Sequence, residues 1–76
     1  MSDQLHHLIK MINQISTNLD HGDKHKAAEA VAAHIKKFWA RSMKQQIIEY
    51  EDIDGSELNQ VSRLAVAQLK ELRQAS

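Results

Sequence analysis

His34-Ile35-Lys36-Lys37-Phe38-Trp39-Ala40-Arg41-Ser42-Met43-Lys44 decides how this chain divides into helices, because it sets its only Phe and only Trp side by side. Successive side chains on an α-helix diverge by about 100°, so adjacent rings cannot both point at one core. Upstream, Ala27, Ala28, Val31 and Ile35 recur at helical spacing, and Phe38 continues their row. Trp39 instead opens a second row through Met43, Ile47 and Tyr50. Between the rings the apolar stripe shifts by about a third of a turn, too much for one straight helix to bury against one surface. The spacing predicts a bend or short break at residues 40–42, with Ser42 placed to cap the helix that follows.

Working outward, Leu5, Leu8, Ile9, Ile12, Ile15 and Leu19 recur at steps of three and four, predicting a first helix to about Leu19 with Ser2 or Asp3 as its N-cap. Asp20-His21-Gly22 ends it, since Gly22 can take the left-handed conformation that follows many helices. Asp23 can cap the second helix, whose small Ala27 and Ala28 would let a neighbour approach closely. The third helix is expected to be short, running to about Tyr50, with an acidic loop at Glu51 to Asp54 and Gly55. Asp54-Gly55-Ser56-Glu57 reads as a capping box that starts the last helix. The stripe of that helix is Leu58, Val61, Leu64 or Ala65, Gln68 or Leu69, and Leu72, and Lys70 and Arg73 suit its negative end. With no Pro, and only Gly22 and Gly55 as interruptions, the class is all-α. The expectation is one domain over residues 1–76, a small helical array of three long helices plus one short one.

At 76 residues the chain has too much surface for its volume to enclose a substrate cleft. It lacks Cys, which removes disulfides and thiolate metal ligands and fits a cytoplasmic home. No apolar run approaches the roughly 18 residues of a membrane span, and Met1-Ser2-Asp3-Gln4 is a polar start, so neither export by a signal nor membrane insertion is expected. Nor is catalysis, because no nucleophile with a base, metal shell or phosphate cradle is assembled, and two distant glycines make no nucleotide fingerprint. No cofactor is expected in this chain. His21 and His25 stand four apart, but Gly22 interrupts the helix between them and no third ligand completes a metal site, so they read as surface histidines.

Charge is balanced at ten basic and ten acidic residues, leaving no global field to attract nucleic acid or acidic lipid. It is nonetheless sorted along the chain. Lys36, Lys37, Arg41 and Lys44 surround the two rings with no acid between Ala30 and Ile48, and Glu49, Glu51, Asp52, Asp54 and Glu57 follow. Such neighbouring patches can orient a protein partner; the bland alternative is a solvated surface whose charges happen to be sorted. Trp39 is expected to be the exposed anchor, with Phe38 facing inward, because Trp and Arg often carry interface energy and Arg41 lies nearby. The alternative is that Trp39 closes a small core. In the docking reading, Trp39 and Met43 enter an apolar pocket while Lys36, Lys37, Arg41 and Lys44 meet carboxylates around its rim. His34, one turn before Phe38, is expected to make a partly buried hydrogen bond or, alternatively, a partner contact. The same cations could serve a nucleic-acid-binding or regulatory protein with a ring stacked on a base, but the acids ending the third helix oppose a nucleic-acid partner.

His34, Ile35, Lys37, Phe38, Trp39 and Met43 match the pattern His-Ile-x-Lys-Phe-Trp-x-Pro-Arg-Met, and the segment resembles the small delta subunit of cytoplasmic NAD-dependent formate dehydrogenases. Met11-x-Asn13-Gln14-Ile15 and Ala65-x-x-x-Leu69 are similar to that family's opening and closing helices, so the resemblance spans nearly the whole chain. One departure matters: the family's Pro-Arg pair falls on Arg41-Ser42, which sets the guanidinium one position early. The resemblance implies a non-catalytic accessory subunit that binds the larger formate dehydrogenase subunit or subunits and assists assembly, stability or cofactor loading. It also implies that the molybdenum or tungsten pterin, the iron–sulfur clusters and the flavin belong to other subunits. In isolation such a chain has room for weak homo-oligomerisation.

Overall fold

The computed structural model describes residues 3–75, which form four helices and no strand. They are α1 (Asp3–Leu19), α2 (Lys24–Phe38), α3 (Arg41–Ile53) and α4 (Gln60–Ala75). The break expected at residues 40–42 is present but falls slightly earlier, at residues 39–40 between α2 and α3, so Arg41 and Ser42 are already helical. The expected split into three long helices and a short one is not, since α3 has 13 residues against 15 in α2. Tyr50 is buried and its hydroxyl accepts from the Glu57 amide at 3.0 Å, which anchors the end of α3. Asp52 pairs with Lys70 of α4, so the acidic stretch read as loop continues the helix instead.

Asp23 caps α2 as expected, its carboxylate accepting from the His25 and Lys26 amides at 3.0 and 3.1 Å. Gly22 before it has φ +115°, a conformation that favours glycine. In the same turn the Lys24 ammonium and the Gly22 amide bind Asp20 and hold its carboxyl below the usual aspartate range. Asp3 is already helical, so it is not the N-cap of α1, and Ser2 lies outside the described residues.

The capping box expected at Asp54 is absent. Asp54 is instead the C-cap of α3, its amide donating to Tyr50 O at 2.9 Å. Leu58 is drawn into the core while still in the loop, which delays the last helix until Gln60. Asn59 caps that helix, its side-chain oxygen accepting from the Ser62 amide at 2.8 Å. Gly55 has φ +71°, and a Cβ there would lie 3.3 Å from Glu51 O. Of the two cations expected near the end of α4, Lys70 bonds Asp52, and the side chain of Arg73 lies outside the described ones.

Packing is built around α4, which lies most extensively against α2. The buried side chains of α2 are Ala27, Ala28, Val31, Ala32 and Ile35, and those of α4 include Val61, Ala65, Val66 and Leu69. Small residues on both helices let the axes approach closely. Leu8, Ile9 and Ile12 of α1 and Ile47, Ile48 and Tyr50 of α3 complete one core.

A polar seam crosses from α1 to the start of α4. The Asn13 side-chain oxygen accepts from the Asn59 amide at 3.0 Å and the Ser62 hydroxyl at 2.8 Å, while its nitrogen donates to Glu57 O at 2.8 Å. Because Ser62 spends its one proton on Asn13, the buried Ser16 hydroxyl, 2.7 Å away, must donate to Ser62. Among the described residues, no buried side-chain polar atom lacks a partner.

Candidate partner interface

On α2 the helical period alone cannot separate Phe38 from Trp39, since each would lie about 50° from the centre of the buried face. The end of the helix decides. Phe38 is its last residue, whereas Trp39 is extended, with φ −86° and ψ 142°, and its amide still reaches Ile35 O at 3.0 Å. The change of direction places the indole in the core at 6% exposure and leaves Phe38 66% exposed. The expected orientation is therefore reversed: Trp39 closes the core and Phe38 faces outward. Trp39, Met43, Ile47 and Tyr50 do form one row, and it packs inward.

Two neighbours flank the exposed ring. The His34 ring centroid lies 4.9 Å from that of Phe38 at 44°, and Lys37 Nζ lies 5.4 Å from the Phe38 centroid. His34 is exposed and packs on Phe38 in place of the partly buried hydrogen bond expected of it. A ring in contact with both an imidazole and an ammonium loses less freedom on binding than a free one.

The start of α3 is incompletely satisfied. Its N-cap, Ala40, offers no side-chain acceptor, and Ser42 lies inside the helix, so the capping role expected of Ser42 is not filled. Lys44 N–H bonds Ala40 O at 3.1 Å, but the amides of Arg41, Ser42 and Met43 meet no acceptor among the described residues. The Lys44 ammonium donates to Lys36 O at 3.2 Å, tying α3 to the last turn of α2. Charge on α3 also runs against its dipole. Arg41 and Lys44 crowd the positive end while Glu51 and Asp52 lie in the last turn at the negative one, and an unpaired charge so placed costs about 0.3–1 kcal/mol. Burial of Ile47, Ile48 and Tyr50 must offset this.

Lys36, Arg41 and Lys44 converge on a groove of about 600 Å³, completed by Gln45, Ile48, Leu69 and Leu72. The eight candidate residues thus separate into three settings. His34, Lys37 and Phe38 form an outward cluster; Lys36, Arg41 and Lys44 line the groove; Trp39 and the partly buried Met43 belong to the core. Sequence reasoning missed two exposed aliphatics, Leu72 at 46% and Ile53 at 85%. Leu72 continues the stripe of α4 at i+3 from Leu69, and nothing in that spacing separates it from the buried members of the row. His21 and His25 are both exposed, and among the described residues no helix is long and apolar enough to cross a membrane.

Residues 7–66 match the sequence family described as NADH-dependent formate dehydrogenase delta subunit FdsD. The match includes the whole α2–α3 junction, the Asn13 seam and the first turns of α4. No curated protein and no solved structure matches this chain.

Proposed function

Since the chain belongs to the FdsD family of NADH-dependent formate dehydrogenase delta subunits, we propose that it is a non-catalytic accessory subunit that docks on a larger subunit of that enzyme with Phe38 as its anchor. The observation that carries this is the 66% exposure of Phe38 between His34 and Lys37. A large ring left uncovered, with two neighbouring side chains packed on it, suits the centre of a contact, where desolvated aromatics supply most of the binding energy. Its work is cytoplasmic, and the cofactors that carry the chemistry belong to other chains.

The physical basis of its help is linkage. A subunit that binds only the folded catalytic chain stabilises it by about 2.7 kcal/mol when present at a hundredfold excess over Kd. That favours assembly, and it holds a cofactor-accepting conformation open to loading. The test is Phe38→Ala, co-expressed with the larger subunits. Recovery in the complex should fall at least about tenfold, which corresponds to about 1.4 kcal/mol. The far-ultraviolet helical signal and the thermal midpoint should stay near wild type. Undiminished co-purification would remove Phe38 from the contact.

A further inference from the structure

We propose that the groove between the end of α2, the start of α3 and the last turns of α4 receives an acidic amphipathic segment of the larger subunit, an aliphatic side chain flanked by carboxylates. The proposal rests on the accessory-subunit reading above and adds a second contact, separate from Phe38.

Charge complementarity identifies the occupant. Three cations, Lys36, Arg41 and Lys44, border the groove, and among the described residues that line it none is acidic. Between them lies an aliphatic surface: Ile48 and Leu69 are buried at its floor, and Leu72 stands 46% exposed at its wall. The groove, of about 600 Å³, has room for an inserted side chain. The fitting ligand is therefore apolar at its centre and negative at its edges, as in helices that dock in grooves through spaced anchors.

The inverted charge of α3 points the same way. Arg41 and Lys44 raise the positive potential at a helix end that is already positive. No acidic side chain in the first turn answers them. A carboxylate arriving from outside would relieve both the cationic crowding and the dipole. A nucleic acid fits less well. Its backbone would run from these cations toward Glu49, Glu51 and Asp52 along the same helix, and the floor holds no ring on which a base could stack.

The test uses the complex of this chain with the co-expressed larger subunits. Lys36→Glu combined with Arg41→Glu, and separately Leu72→Asp, should each lower co-purification roughly tenfold while the helical signal and thermal midpoint of the free chain hold. In the wild-type complex, a zero-length carbodiimide reagent should join Lys36 or Lys44 to an Asp or Glu of the larger subunit. Full co-purification of both groove variants, or cross-links arising only elsewhere, would overturn the groove as a contact while a loss with Phe38→Ala still supported docking. Failure of the wild-type chain to co-purify at all would instead remove the docking reading itself. A concentration-dependent dimer of the free chain, abolished by Leu72→Asp, would identify the occupant as a second copy and overturn the proposal.

Discussion

The two ends of α4 are finished differently. At its start, Asn59 caps the helix, Ser62 and Asn13 exchange hydrogen bonds with Ser16 and the loop, and Arg63 Nε donates to Gly55 O at 3.0 Å. At its other end, Leu72 faces a groove bordered by cations, beside an uncapped α3 and an exposed Phe38. The first end satisfies its polar groups from within the chain. The second leaves amides, cations and apolar surface for something else to meet, so a partner has more to gain there. The general lesson is that a docking face can be found by asking where a small fold stops completing itself, which exposure alone does not reveal.

The sharpest way to break this comparison is at the neighbouring rings. Trp39→Ala should cost about 3–5 kcal/mol, the usual range for truncating a buried aromatic. That approaches the whole stability expected of so short a chain. Urea denaturation followed by the helical signal should show a large drop in midpoint or an unfolded baseline. Phe38→Ala, one residue away, should stay within about 0.5 kcal/mol of wild type. Similar losses for both would mean that the inside and outside of the junction have been confused.

Next in size is Asn13→Ala, which probes the closed end. It would leave the Asn59 amide, the Ser62 hydroxyl and the Glu57 carbonyl without their partner. The expected cost is about 1–3 kcal/mol, read from the same denaturation curves. Co-purification of the folded fraction should be unaffected, since the seam lies at the start of α4 and lines no part of the groove. A variant as stable as wild type would show that water replaces the seam without loss, and the contrast between the two ends would weaken.

How much of this was legible in the sequence follows from which forces act locally. Asp23 and Gly22 were readable because a cap and a left-handed turn depend on residues within four positions. The break after Phe38 was readable from the jump in the apolar stripe. The burial of Trp39 was not, because both rings are equally near the buried face and the extended backbone of a single residue decides between them. Asp54-Gly55-Ser56-Glu57 carries a capping pattern, yet burial of Leu58 and the bonds from Asn13 to the loop moved the helix start to Gln60. Of the candidate interface, its charges were readable, while the convergence of Lys36, Arg41 and Lys44 with Leu72 depends on the tertiary fold.

The smallest expected effect bears on the open end and on Arg41-Ser42, where the resemblance drawn from the sequence departs from its Pro-Arg pattern. Arg41 is the first helical residue of α3, the position where proline costs least, because the amide has no helical partner to lose. Ala40 before it has ψ 153°, in the range that a following proline requires. Arg41→Pro should therefore stabilise the free chain by about 0.4–1 kcal/mol by restricting the unfolded chain, seen as a small rise in the denaturation midpoint. The same change removes a groove cation, so recovery with the larger subunit should fall even as the fold gains. Adding Ser42→Arg, which restores the family's Pro-Arg order, separates the two effects: the gain in stability should persist, and recovery should return only if a guanidinium at the second helical position still reaches the groove. A drop in midpoint for Arg41→Pro would mean that its amide is held after all, and the start of α3 would no longer count among the groups left for a partner.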